Sequence, residues 1–107
     1  MILEQYVDRM NGKDAKGISE LFASECLFND AGGRPWGFDD IVLNGREAVF
    51  GVFSAILAAN DVKATIVKLN NASMEYDVQF GEILMPCVGM VTVNEEGLIT
   101  EYIVRPR

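Results

Sequence analysis

The chain begins with two stretches in which apolar residues recur at helical spacing. The first stretch carries its apolar side chains on one face, at Ile2, Leu3, Tyr6, Val7 and Met10. It predicts a helix of about three turns that ends at Asn11-Gly12, where glycine can take the left-handed cap conformation. Asp14 is placed to cap a second helix, which ends near Ala23 and buries Ile18, Leu21 and Phe22.

The middle of the chain alternates between periodic and irregular stretches. The segment ECLFND, residues 25–30, has the alternation of a short opening strand. Residues 31–43, AGGRPWGFDDIVL, predict a long loop that contains at most a short strand. Asn44 followed by Glu47 resembles a capping box and predicts the start of a third helix. The buried stripe of that helix is expected to consist of Val49, Phe50, Phe53, Ile56 and Leu57.

From Asp61 onward the apolar period changes from helical to alternating. In ASMEYDVQF, residues 72–80, apolar and polar side chains alternate as in a half-buried antiparallel strand. Gly81-Glu82 and NEEG are turn sequences that separate two further strands, ILMPCVGMVTV and LITEYIVR. Together with the alternating stretch that begins at Asp61 these make four long strands. Three helices followed by four long strands, with no repeat or linker, predict a single α+β domain over residues 1–107. Its helices are expected to cover one face of a curved, cone-shaped antiparallel sheet.

Charge and composition argue against several classes of partner. The 107 residues carry a formal net charge of −7, and the nine Lys and Arg are scattered rather than clustered, so neither nucleic acid nor an anionic membrane surface is an expected partner. The sequence has no run of about 18 apolar residues and no basic segment followed by an apolar one, so we expect neither a membrane span nor secretion. Cys26 and Cys87 have no CxxC spacing and fit free thiols in a reducing compartment, which predicts a cytoplasmic protein.

Histidine is absent from the chain, and its absence restricts the chemistry. Ser-His and Cys-His nucleophile pairs and most zinc sites require histidine. Acid–base chemistry therefore falls to Asp, Glu, Tyr or Lys, and we expect no metal and no cofactor.

Asp30 ends an otherwise apolar row on the opening strand. In SECLFNDAGG, Cys26, Phe28 and Asp30 share one strand face. The carboxylate is either a catalytic base at an apolar pocket or a turn residue that accepts hydrogen bonds from nearby backbone amides. The pair Asp39-Asp40 is interpreted as a solvated charge cluster, with an acid–base pair or a cation site as the alternative.

Three segments give the chain a resemblance to a known family: EQYVDRMNGKDAKGISELFASECLFNDAGG, NGREAVFGVF and VTVNEEGLITEYIV. In order, spacing and residue type they are similar to the ketosteroid isomerase and SnoaL-like branch of the nuclear transport factor 2-like superfamily. The resemblance implies a cystatin-like, cone-shaped α+β fold that is usually dimeric. It also implies a deep apolar pocket between the helices and the concave face of the sheet.

The resemblance further implies roles for single residues. Matched by position, Asp30 corresponds to the carboxylate base that moves a proton between carbons, and Tyr6 to the tyrosine that stabilises the enolate oxygen. Gly89 stands where these isomerases have a second, protonated acid, and Phe53 stands where they have a buttressing tyrosine.

Further residues are expected to line the pocket. Tyr76 and Tyr102 lie on apolar strand faces, and either could supply the missing donor or only complete the core. Trp36 is either a lid for the pocket or an anchor for its own loop. The expected substrate contacts are Trp36, Phe53, Met74, Tyr76, Val78, Cys87, Gly89 and Tyr102.

The leading hypothesis is a small-molecule enzyme that abstracts a proton next to a carbonyl in the apolar pocket, giving isomerisation or cyclisation. Asp30 would be the base and Tyr6 the oxyanion donor. The alternatives are a binding module for a small hydrophobic molecule and a dimeric assembly domain, because one fold can host all three functions. A homodimer through the outer sheet surface is expected because that surface is apolar at Leu84, Val88, Met90, Ile99 and Ile103.

Overall fold

The computed structural model describes all residues from 1 to 107, and in it the chain forms three helices and six strands. The helices are α1 (Ile2–Asn11), α2 (Ala15–Glu20) and α3 (Arg46–Ala59), and a 3₁₀ turn spans Arg34–Trp36. The strands are β1 (Phe22–Asp30), β2 (Ile41–Asn44), β3 (Val62–Leu69), β4 (Ser73–Phe80), β5 (Ile83–Val93) and β6 (Ile99–Pro106). None of the helices has the length and apolar content that a membrane crossing requires. The predicted α+β class, with three helices and four long strands at the end, is confirmed.

The strands form one curved sheet in the order β2-β1-β6-β5-β4-β3. β3 to β6 form an antiparallel meander as predicted, and β2 pairs antiparallel with β1. The prediction of an entirely antiparallel sheet is wrong at one pairing, because β1 and β6 run parallel. This pairing arises because the chain returns to β1 only after the whole meander, and it places the end of β1 beside the last strand.

The helices pack on one face of the sheet, which we call the inner face. α1 contacts β3, and α3 contacts β1 and β2. At the end of α1, the Asn11 Nδ2 donates to the carbonyl of Ala64 at 2.8 Å, and the Asn11 Oδ1 accepts from the Ala64 N–H at 2.7 Å. This double hydrogen bond fixes α1 on β3. The inner side of α1 is formed by Leu3, Tyr6, Val7 and Met10, all of which are buried.

The ends of the first two helices differ in detail from the prediction. Gly12 is not left-handed, since its φ is −84°, and the positive φ of 55° falls on Lys13 instead. Asp14 is the N-cap of α2 as predicted, and its carboxylate accepts a hydrogen bond from the Gly17 N–H at 2.9 Å. The second helix ends at Glu20 rather than near Ala23, because the backbone from residue 22 onward already belongs to the sheet.

The predicted capping box at the start of α3 is wrong. Asn44 is the last residue of β2, and Gly45 precedes the helix with a φ of 94° and no side-chain cap. The chain turns there directly from strand to helix, which requires a positive φ that glycine accepts without strain. Phe50, expected in the buried stripe, is 44% exposed. The buried residues of α3 are Val49, Phe53 and Leu57.

An irregularity changes the alternation of side chains at the start of β6. The register between β5 and β6 shifts between Thr92 and Val93. Ile99 is fully buried as a result, so its assignment to the outer surface is wrong. The exposed apolar residues of β5 on that surface include Leu84 and Met90.

Candidate active site

An apolar cavity lies between the helices and the inner face of the sheet. Its volume is about 260 Å³, and 14 of its 18 lining residues are hydrophobic. α1 contributes Tyr6 and Met10, while the sheet and the loop before β2 form most of the remaining wall. A mostly apolar cavity with a few polar groups is typical of a site for a small hydrophobic molecule.

Asp30 places a carboxylate in the wall of this cavity. Its Oδ1 accepts a hydrogen bond from the Gly32 N–H at 2.8 Å, and no other hydrogen bond reaches the carboxylate. Burial raises the pKa of the Asp30 carboxyl, and the charge of Asp40 adds to this, whereas the Gly32 bond and the Arg105 charge act in the opposite direction. Asp30 therefore combines the predicted turn contact with free acceptor capacity toward the cavity.

Tyr6 brings a hydroxyl to the same cavity. The side chain is 1% exposed, and its ring packs edge-on against Tyr102 and Phe53 at centroid distances of 4.9 and 6.0 Å. The Tyr6 hydroxyl has no hydrogen-bond partner in the protein. Every fully buried side-chain oxygen does have such a partner, so the Tyr6 oxygen cannot be fully buried. Because Tyr6 lines the cavity, the cavity is the space that this hydroxyl reaches. Burial raises the pKa of Tyr6 well above its usual value, which keeps the phenol protonated as a donor at neutral pH.

The volume beside Gly89 is filled by Tyr102. A Cβ added at position 89 would lie 2.5 Å from the Tyr102 hydroxyl oxygen and 2.8 Å from its Cε1. The absence of a side chain at this position therefore leaves no open space for a second acid. The Tyr102 and Tyr76 hydroxyls share a hydrogen bond with an O···O distance of 3.2 Å.

Six of the ten predicted site residues line the cavity, and four do not. Met74, Gly89 and Tyr102 are buried in the core without forming part of the wall. Trp36 is 41% exposed and also lies outside the wall. The predicted residues that line the cavity are Asp30, Tyr6, Phe53, Tyr76, Val78 and Cys87.

The wall also contains residues that the sequence interpretation did not select. Phe38 packs edge-on against Phe80 at a centroid distance of 6.1 Å, and both rings line the cavity. Phe38 thus takes the place that was expected for Trp36, and its irregular loop offers no periodic signal to distinguish the two. Met85 lies two residues before Cys87 on β5, so strand alternation alone could have identified it.

Three further polar groups lie at or near the cavity, on Asp39, Asp40 and Cys87. The Arg34 Nε donates to the Asp40 Oδ1 at 2.8 Å, and this hydrogen bond lowers the pKa of Asp40. Asp40 is therefore paired with Arg34, while Asp39 lies exposed at the rim of the cavity. Burial, together with the charge of Asp30, raises the pKa of Cys87 to about 12, so its thiol is uncharged at neutral pH. No three potential metal ligands cluster in the structure.

The family of the chain follows from comparison with known proteins. The SnoaL-like domain family matches residues 3–102, and the chain belongs to this family. The resemblance predicted from the sequence, to the SnoaL-like branch of the nuclear transport factor 2-like superfamily, is confirmed. No curated protein matches the chain.

Solved structures share the fold at low sequence identity. A nuclear transport factor 2-like protein of unknown function from Mesorhizobium loti is 19% identical with a TM-score of 0.77, over 99% of this chain and 88% of that one. A protein with a ketosteroid isomerase-like fold from Catenulispora acidiphila, in complex with trimethylamine, is 16% identical with a TM-score of 0.75, over 97% and 83%. A computationally designed 17-OHP binder is 18% identical with a TM-score of 0.77, over 99% and 88%. These similarities establish the fold.

Proposed function

We propose that the protein is an enzyme of the ketosteroid isomerase-like type, which abstracts a proton next to the carbonyl group of a small hydrophobic molecule. The observation that carries the proposal is the Asp30 carboxylate in the wall of an apolar cavity that also receives the Tyr6 hydroxyl. Removal of water from a carboxylate strengthens it as a proton acceptor, because the charged form loses its solvation. The geometry thus supports a base and an oxyanion donor in one site.

The reaction takes two proton transfers. The ionised Asp30 carboxylate takes a proton from the carbon next to the carbonyl, and the electron pair of that C–H bond forms a C=C bond while the carbonyl oxygen becomes negative. The Tyr6 hydroxyl donates a hydrogen bond to this enolate oxygen. In a β,γ-unsaturated ketone the enolate is conjugated with the β,γ double bond, so the Asp30 carboxylic acid can return the proton to the γ carbon. The carbonyl then re-forms, the double bond moves to the α,β position and the carboxylate is restored, which completes an isomerisation.

The proposal is tested with 3-cyclohexenone, a small β,γ-unsaturated ketone whose conjugated isomer is detected by its ultraviolet absorbance. Asp30→Asn should lower the isomerisation rate by about 10²–10⁴-fold, because an amide cannot take the proton. Tyr6→Phe should lower it by about 10²–10³-fold, because the enolate loses a donor.

The matched comparison is Asp39→Asn, which removes the carboxylate at the rim of the same cavity. That carboxylate is exposed and screened by solvent, so its loss should change the rate far less than Asp30→Asn does. Equal losses in the two variants would contradict the assignment of Asp30 as the base.

A second candidate is a binding module for a small hydrophobic molecule with no chemistry. It is favoured by Gly89, because that position carries no side chain to serve as the second acid of the isomerases. The designed 17-OHP binder and the trimethylamine complex supply the same fold in ligand-bound or ligand-binding proteins. Tight binding of an apolar ketone, with no isomerisation that depends on Asp30, would favour this candidate.

The proposal includes a homodimer and a cytoplasmic location. The dimer is supported by exposed apolar residues on the outer sheet surface, among them Leu84 and Met90. The location is supported by two free cysteines, which are typical of a reducing compartment.

A further inference from the structure

Three residues on three neighbouring strands form a connected unit beside the cavity. Tyr76 lies on β4 opposite Cys87, and Tyr102 lies on β6 opposite Val91. Gly89 stands midway between these two positions on the intervening strand β5 and shares their face. The Tyr102 side chain therefore crosses β5 diagonally at Gly89, and its hydroxyl meets the Tyr76 hydroxyl at 3.2 Å.

The Tyr102 side chain can cross β5 at this point only because residue 89 is glycine and has no side chain. The Tyr102 Oη, Cε1 and Cζ would lie 2.5, 2.8 and 3.0 Å from a Cβ at that position. An aromatic ring is rigid, and Tyr102 is fully buried, so it cannot give way as a flexible side chain would. Any larger residue at 89 would have to displace Tyr102 and break its hydrogen bond with Tyr76.

The hydrogen-bond inventory of the pair leaves one donor unused. A tyrosine hydroxyl has one proton to donate and can also accept. The two hydroxyls share one hydrogen bond, and neither has another protein partner, so one of their two protons is left without a protein acceptor. Because Tyr76 lines the cavity and Tyr102 does not, an anionic acceptor in the cavity meets the Tyr76 proton, and Tyr102 then donates to Tyr76. A hydroxyl that accepts one hydrogen bond becomes a stronger donor in the next.

We propose that Tyr76 is a second hydrogen-bond donor to an anionic oxygen of the ligand, with Tyr102 as its positioning residue across Gly89. The Tyr76–Tyr102 pair thereby provides, from β4 and β6, the hydrogen-bond donor that Gly89 on β5 cannot provide. The inference rests on the proposed function in that it uses the same cavity, but it concerns the binding of an enolate-like oxygen and not the transfer of a proton.

The test compares a charged and a neutral probe of similar shape. 4-Nitrophenolate carries the anionic oxygen, and nitrobenzene lacks it. Tyr76→Phe should weaken binding of 4-nitrophenolate by about 10- to 100-fold, the loss expected for a hydrogen bond to a charged group, and should leave nitrobenzene binding within about twofold. Tyr102→Phe should weaken 4-nitrophenolate binding less than Tyr76→Phe does, because the direct donor remains.

The pKa of the bound probe distinguishes positioning from packing. Absorbance titration should show that bound 4-nitrophenol ionises at a higher pH in both Tyr→Phe variants than in the parent. Equal losses for both probes, or an unchanged pKa of the bound phenol in Tyr102→Phe, would overturn the proposal.

Position 89 provides a test that is independent of the tyrosine substitutions. Gly89→Ala should lower Tm and reduce the preference for 4-nitrophenolate over nitrobenzene. Gly89→Ala with Tyr102→Leu should recover Tm, because the clashing ring is gone, without recovering the preference. Recovery of the preference in this double variant would contradict a role for Tyr102.

The Asp30→Asn variant separates this inference from the proposed function. It should lower the isomerisation rate by about 10²–10⁴-fold while it strengthens 4-nitrophenolate binding, since a negative charge leaves the cavity. If Asp30→Asn leaves isomerisation intact but Tyr76→Phe still weakens only the phenolate, the proposed function fails and the donor assignment stands.

Discussion

At the scale of single residues, Asp30 depends on Gly32 for its place in the cavity wall. A Cβ at position 32 would lie 2.7 Å from the Cys87 Sγ and 3.0 Å from the Asp30 Oδ1. Glycine therefore lets the backbone N–H approach the carboxylate closely enough to hold it at 2.8 Å. One hydrogen bond orients the group without neutralising it, and this combination suits a base in an apolar wall.

The raised pKa of Asp30 should make the parent protein less stable at neutral pH than its amide variant. Between the unfolded and folded pKa values the folded state binds more protons, so the free energy of unfolding falls as the pH rises through that window. Asp30→Asn removes this loss and keeps an acceptor for the Gly32 N–H. We expect a higher Tm for the variant at pH 7 by circular dichroism, and a difference that closes below about pH 4. A variant no more stable than the parent at pH 7 would contradict the raised pKa.

Substitution by alanine should change the free energy of unfolding in opposite directions at two glycines. Gly89→Ala should lower the free energy of unfolding by about 1–3 kcal/mol, because its Cβ meets the rigid Tyr102 ring. Gly51→Ala in α3 should raise it by about 0.5–1 kcal/mol, because no atom lies within 4 Å of its Cβ and alanine favours a helix. Urea unfolding of both variants measures the difference, and equal effects would contradict the close packing at Gly89.

At the scale of elements, the hydrogen bonds of Asn11 should be a main attachment of α1 to the sheet. Asn11→Ala leaves the buried N–H and carbonyl of Ala64 without their partners, so we expect a loss of about 1–3 kcal/mol in the free energy of unfolding. Asn71→Ala, in the exposed turn after β3, is the matched control and should change it by less than about 0.5 kcal/mol. Similar losses in both variants would show that the double hydrogen bond does not anchor the helix.

Apolar periodicity predicts which elements form but not how each one ends. The positive φ falls on Lys13 rather than Gly12, and the turn into α3 uses Gly45 rather than an Asn44 cap. Neither detail is marked by the spacing of apolar residues. The same holds for Ile99, since the register shift that buries it is a property of the strand pair and not of either sequence alone.

In the candidate site, too, some features could be predicted from the sequence and others could not. The position of Asp30 in the cavity wall could be predicted, because strand alternation and the family resemblance both point to it. The contact of Tyr102 with Gly89 could not, because it requires the register of two strand pairs. The presence of Phe38 rather than Trp36 in the cavity wall could not be predicted either, because side chains in an irregular loop do not alternate in direction with a fixed period.

At the scale of the whole molecule, the outer sheet surface should hold two copies together. Leu84 and Met90 are 50% and 43% exposed on β5. Exposed apolar side chains on one sheet face favour association through a two-fold symmetric interface. We expect a homodimer at tens of micromolar by light scattering and a monomer for Met90→Glu. Phe50→Glu, which adds the same charge on the exposed side of α3, should remain dimeric, and a monomeric parent would contradict the prediction.

Proton transfer by Asp30 is measured most directly as deuterium incorporation next to the carbonyl of cyclohexanone in D₂O, followed by NMR as a function of pH. The parent should exchange these protons at a rate that rises with pH, with a midpoint above the usual carboxyl pKa of 3.8, because the base acts only when ionised. Asp30→Asn should lose this exchange at every pH. Exchange in Asp30→Asn at the rate of the parent would contradict the assignment of Asp30 as the base.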